Sequence, residues 1–157
     1  MKEAFTHKSL LILGRGIGQV MFQNNALSGL LMLIGIFLNS WQMGLLAVSG
    51  NIISTSTGRI SGYDRDDIKN GLYGFNGTLV GIAVGVFMHL TVNSLILMAI
   101  ASCASTYIAR FFNMQRMLPG FTTLFILSVW MLLGLCSWLM PDMLLVSDTE
   151  TPASSSI

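Results

Sequence analysis

The stretch Gly71-Leu-Tyr-Gly-Phe-Asn-Gly-Thr-Leu-Val-Gly-Ile-Ala-Val-Gly85 places a glycine at every third or fourth position of a strongly apolar helix. In water each glycine weakens such a helix, whereas in lipid a stripe of small residues lets a second helix approach at backbone distance. The stretch therefore predicts an all-α integral membrane protein and puts this segment at a tightly packed place inside it. Phe75 offers a flat apolar face, and Asn76 and Thr78 bring polarity where polarity is expensive. Such a mixture suits a pore for a small uncharged solute.

The composition of the 157 residues agrees: 53% are hydrophobic and only 10% charged, and the mean hydropathy is +0.70. A soluble domain of this length needs more charge and half-polar amphipathic helices. The net charge of +1 gives no argument for nucleic acid, and none is expected as a partner. Cys103 and Cys136 lie inside apolar spans, without CxxC or histidine spacing. They read as small buried hydrophobes rather than a disulfide or metal pair, and no metal or cofactor is expected.

Read along the chain, residues 1–9 are polar and 10–23 are apolar but broken by Gly14, Arg15, Gly16 and Gly18. Since ~14 helical residues rise only about 20 Å, roughly two thirds of a bilayer core, 10–23 reads as a short tilted or re-entrant half-helix. Asn24 and Asn25 end it. Five transmembrane helices are expected to follow, over 26–38, 41–54, 71–90, 92–109 and 121–140, with a polar loop at 55–70. Residues 1–141 form the membrane domain in this reading, and 142–157 a small, polar, disordered tail.

Three basic clusters, in the amino-terminal segment, at Arg59–Lys69 and at Arg110–Arg116, are each separated by two spans, so with Arg15 of the half-helix counted to the amino-terminal side all eight Lys and Arg fall on one face. By the positive-inside rule that face is cytoplasmic. The reading is a multi-pass protein of the cell membrane, the inner one in a bacterium, with a cytoplasmic amino terminus and the carboxyl terminus on the other side. An odd number of spans is what one half of an inverted-repeat transporter looks like.

Gln19 and Phe22 are three apart on the half-helix and share a face, with Arg15 one turn earlier. A glutamine amide at membrane depth must find partners, either as structural glue or as a ligand for something polar that passes. Gln23, Asn24 and Asn25 read as caps for the broken helix. Pro119 fits the first turn of the fifth span, with Thr122 and Thr123 after it. Those threonines either bond back to their own helix or line a path. Asp64, Asp66 and Asp67 mix with Arg59, Arg65 and Lys69 as a solvated loop rather than a metal or acid–base site.

Three stretches together resemble the urea transporter family: Gly14-Arg-Gly-Ile-Gly-Gln-Val-Met-Phe-Gln-Asn-Asn25 with Ser28-Gly-Leu-Leu31, then Gly71 to Gly81, then Leu118-Pro119 with Thr122. Leu124 departs from the family, which tends to have proline there. The resemblance covers almost the whole chain but only the amino-terminal half of the family's usual length. It implies a half-helix and five spans per half, two inverted halves around one pore, and three complete pores in a trimer. It also assigns roles: Gln19 as the polar half-helix residue, Val20 and Phe22 lining the slot beside it, Phe75 and Leu79 as facing apolar walls, and Thr122 as a rung of the central constriction.

The expected function is passive, channel-like transport of urea or a close small neutral amide, with urea dehydrated between phenylalanine walls against a ladder of oxygen acceptors. No G-x-x-x-x-G-K-[ST] motif and no intramembrane acidic residue points to coupling, and no enzyme activity is expected. The alternatives are a pore for another neutral solute such as ammonia, for which His7 and His89 lie too near span ends, or a non-transporting membrane subunit packed on a partner. Besides urea and membrane lipid, the expected partner is a second inverted half: a missing repeat, a separate chain or an antiparallel copy.

Overall fold

The computed structural model describes residues 2–115 and 123–139 together with Leu144. Helix α1, Lys2–Gly18, runs into a 3-10 turn at Gln19–Met21, and α2 follows over Ala26–Asn39. The two helices are bent by 75° at this break. Then come α3, Trp41–Ile60, the short α4, Arg65–Lys69, α5, Leu72–Phe87, α6, Val92–Gln115, and α7, Thr123–Leu139. The expected half-helix and the five helices after it are thus present as helices.

Local chemistry explains where they start. Asn25 caps α2 by accepting the Leu27 N–H at 2.9 Å, and Ser40 caps α3 by accepting that of Met43 at 3.3 Å, each meeting an end donor with no partner in the helix. Asp64 does the same for α4 through the N–H groups of Asp66 and Asp67. Three boundaries differ from expectation by more than a turn, one of them the end of α6, which runs to Gln115 rather than Ala109. The half-helix begins at Lys2 rather than Leu10, and α3 runs to Ile60 rather than stopping at Ser54. The hydroxyl-rich end of α3 continues because its side chains are satisfied inside the bundle. Thr57 Oγ1 donates back to the Ile53 carbonyl at 2.8 Å, and Ser54 Oγ donates to the Ser102 carbonyl of α6 at 3.2 Å, so these groups do not compete for the helical backbone.

The closest helix pair is α3 with α5. A Cβ on Gly77 would overlap the Gly50 carbonyl oxygen, and one on Gly81 that of Leu46. The glycine stripe therefore does what it was expected to do, bringing a helix to backbone distance. Apolar packing flanks this seam. Leu46, Val80, Val84, Met98, Ala101 and Leu132 form one buried cluster, and Ile12, Ile68, Tyr73 and Ala109 another. Leu144 pairs its backbone with Met88 and packs against the first cluster.

Among the described residues, Val92–Phe111 is the one segment long and apolar enough to cross a membrane as a single helix, and the bent pair Lys8–Met21 with Ala26–Asn39 passes together. Leu72–Phe87 is apolar but shorter. Its 16 residues rise about 24 Å at ~1.5 Å each, against a bilayer core of about 30 Å.

Candidate functional site

The break between α1 and α2 is docked onto the hinge that joins α4 to α5. Arg15 Nη1 donates to the Lys69 carbonyl at 3.2 Å, Gln19 Nε2 to the Asn70 carbonyl at 3.1 Å, and Asn24 Nδ2 to Asn70 Oδ1 at 3.0 Å. Arg15 and Gln19, placed on one face by their spacing, do reach adjacent acceptors. Gly71 follows at φ +76°, and any Cβ there would run into the backbone of Gly16. Glycine is required on both counts. Because Gln19 spends its N–H on the hinge, its Oε1 is the end of the amide left to accept.

Phe22 closes the 3-10 turn in the left-handed conformation at φ 56°, unusual for a bulky residue, and its side chain is 71% exposed. Phe75 is only 3% exposed. The two phenyl rings expected to flank the solute thus lie in different environments, one open and one enclosed. Val20 and Leu79 are half-buried. Thr122, named as a rung of the constriction, lies outside the described residues, as does Pro119.

The polar residues of α5 divide. Thr78 is fully buried and its hydroxyl is committed: it donates to the Gly74 carbonyl at 2.9 Å and accepts from Asn51 Nδ2 at 2.9 Å. Asn76 donates to the Leu72 carbonyl at 3.4 Å, and its Oδ1 is buried without a partner. Asn51, the other end of the Thr78 bond, is a functional candidate that the sequence reading passed over. An asparagine in the middle of an apolar span was the available signal, since a buried amide at that depth must be fully bonded.

Of the residues taken as caps, Asn25 caps, whereas Asn24 reaches the hinge and Gln23 Oε1 accepts from Ser28. The charged loop is solvated: Lys69 and Asp66 form an exposed ion pair at 2.9 Å. The N–H groups of Asp66 and Asp67 hold the Asp64 carboxyl below its ordinary range. Arg110 lies over the Tyr63 ring, 5.3 Å from its centroid. Cys136 is buried and Cys103 half-buried, both as free thiols. Among the described residues no group of three or more His, Cys, Asp or Glu is placed to hold a metal ion.

A groove of about 520 Å³ opens between α1, α2 and α3, with Leu13, Ile17, Ala26 and Leu30 on its walls and Asn51 in its lining. None of the five described candidate residues, Gln19, Val20, Phe22, Phe75 and Leu79, lines it. The candidate site is instead the surface around the docked 3-10 turn, where the Gln19 amide, the exposed Phe22 ring and the half-buried Val20 follow one another.

A family model described as urea transporter matches residues 10–156. Urea transporter 1 of Mus musculus is 41% identical over 75 residues, which are 48% of this chain and 20% of that protein. Urea transporter 1 of Rattus norvegicus is 42% identical over 73 residues, 46% of this chain and 19% of the other, and that of Ovis aries is 40% identical over the same length and shares. The matched segment thus spans about a fifth of the length of these curated relatives.

Proposed function

The chain belongs to the urea transporter family, and from that premise we propose that it forms one half of a passive, channel-like pore for urea in a membrane. The family match over nearly the whole chain carries the reading; the docked turn with its acceptor oxygen supports it. Membership also supports a membrane location and a transporter rather than an enzyme.

Urea is flat, neutral and polar, with four N–H bonds and one carbonyl. A pore that strips its water has to replace those hydrogen bonds, since each one left unmade costs about 1–3 kcal/mol. Gln19 Oε1 is one such acceptor, and Thr122 and backbone carbonyls are the others in this reading. Phe22 and Phe75 supply flat walls that select by thickness, with Val20 and Leu79 beside them. No carboxylate stands among these residues, so a cation finds no strong site, and acceptors in series bind urea weakly enough for it to leave.

One half walls only one side of a slot, so the pore requires a second, inverted half. In this reading the half-helix and five spans cross with a cytoplasmic amino terminus, and three complete pores assemble as a trimer. With that topology all eight Lys and Arg fall on one face, which argues for one orientation, and hence for a missing repeat or a separate inverted chain rather than an antiparallel copy. Exchange of labelled urea across proteoliposomes tests the function: it should proceed without sodium or a pH gradient and be indifferent to either when imposed. Exchange no faster than in protein-free liposomes would refute it.

A further inference from the structure

Asn51 lies midway along α3 and is fully buried. Its carboxamide meets three helices at once. Nδ2 donates to the Leu13 carbonyl of α1 at 3.2 Å and to Thr78 Oγ1 of α5 at 2.9 Å. Oδ1 accepts from Thr55 Oγ1, one turn along its own helix, at 3.3 Å. Both donors and the acceptor are therefore used, as a buried amide demands.

Two glycines make the room. A Cβ on Gly16 would lie 2.8 Å from Asn51 Nδ2, and a Cβ on Gly74 would overlap Asn51 Oδ1 and come within 2.8 Å of Thr55 Oγ1. Gly16, Gly74, Thr55 and Thr78 thus form a socket with room for a planar primary amide and little else. Three of these four adjoin a slot residue: Gly16 is one turn before Gln19, Gly74 precedes Phe75, and Thr78 precedes Leu79.

We propose that Asn51 is a positioning residue whose carboxamide locks the half-helix α1 against α5 and thereby sets the spacing between Gln19–Phe22 and Phe75–Leu79, which decides how large an amide can pass. The 75° break follows the 3-10 turn, so α2 does not carry the helix on beyond it, and the turn takes its place from α1 and from what α1 packs against. Groups that act on a solute have to be held to within about 0.5 Å, and that precision comes from packed, hydrogen-bonded neighbours behind them. The selectivity step rests on the urea-pore reading; the locking step does not.

Two measurements on the assembled protein in lipid test the proposal. The first is the distance between spin labels on cysteines placed at the exposed positions Leu10 in α1 and Val86 in α5. Cys103 and Cys136 are replaced by alanine, and labelled chains are diluted with unlabelled ones. The second is the ratio of urea to N-methylurea permeation in label-free protein. Asn51→Ala should shift or broaden the distance by about 1 Å or more, the scale of misplacement that matters at such sites. It should also lower discrimination against N-methylurea at least severalfold, and formamide, which replaces the carboxamide that the substitution removes, should narrow the distance distribution again.

Thr78→Val, which removes one partner and keeps the shape, should act in the same direction and decides the matter if Asn51→Ala does not assemble. An unchanged distance in an assembled variant overturns the proposal, as does a changed distance with unchanged discrimination. A wild-type protein that passes no urea sinks the transport reading alone, and the distance and its response to formamide then decide the locking.

Discussion

Gly50 and Gly77 face each other across the α3–α5 contact, each so close to the other's carbonyl that neither has room for a Cβ. A methyl group at either position forces the two backbones apart, and overpacking of this kind costs about 1–3 kcal/mol or more. Gly77→Ala should therefore lower thermal stability in detergent. Gly35→Ala, at a position where a Cβ meets nothing within 4 Å, should leave it unchanged or raise it. Equal stability for the two variants would mean that the helices are not packed at backbone distance.

Gln19 is bonded to the hinge through Nε2, and in the proposed pore its Oε1 is an acceptor for urea. Gln19→Ala removes both, and loss of one hydrogen bond in the path at about 1–3 kcal/mol predicts several-fold to a hundredfold slower urea flux. Gln19→Glu keeps an acceptor but sets a carboxylate against the Asn70 carbonyl, so it should loosen the hinge. Flux through both variants, read beside oligomer integrity, is the check. Thr122→Val should slow flux to a similar degree. Unchanged flux in Gln19→Ala and Thr122→Val would make both residues structural glue.

Phe22 separates stability from function. Holding a bulky L-residue in the left-handed conformation costs roughly 1–2 kcal/mol, which glycine does not incur. Phe22→Gly should leave melting temperature equal or higher while lowering discrimination between urea and thicker solutes. A stabilised variant with full selectivity would remove Phe22 from the wall.

The Asp64 cap carries a pH dependence. Its carboxyl is held down first by the N–H of Asp66, then by that of Asp67. A depressed carboxylate contributes stability that is fully present above its unfolded value and is lost as pH falls through the lower folded value. Hydrogen-exchange protection of Asp66 and Asp67 should therefore persist below the ordinary carboxylate range and fade only in stronger acid. In Asp64→Ala that protection should be weak at every pH. A wild-type loss centred on the ordinary carboxylate range would contradict the cap.

The helix order was legible because apolar runs and glycine spacing are local signals, and the spacing of Arg15 and Gln19 placed both on the face that meets the hinge. The extension of α3 was not legible. Thr55, Ser56 and Thr57 look like a loop until Ser54 and Thr57 are seen to bond within the bundle. Thr78 was noted as costly polarity, but its partner Asn51 lies 27 residues away, and pairing across helices is a tertiary property that spacing within one helix does not encode. Phe75 could be named as an aromatic on the glycine-striped helix, yet its burial follows from neighbours on other helices.

The central claim is that this chain builds a passive path for urea, and stopped-flow light scattering of proteoliposomes measures it most directly. Vesicles shrunk by an inward urea gradient should reswell well above the rate of protein-free vesicles, with weak saturation and no response to sodium or pH gradients. Gln19→Ala should slow that reswelling several-fold or more. Reswelling by correctly assembled wild-type protein, together with whatever inverted half completes it, at no more than the protein-free rate would contradict the account.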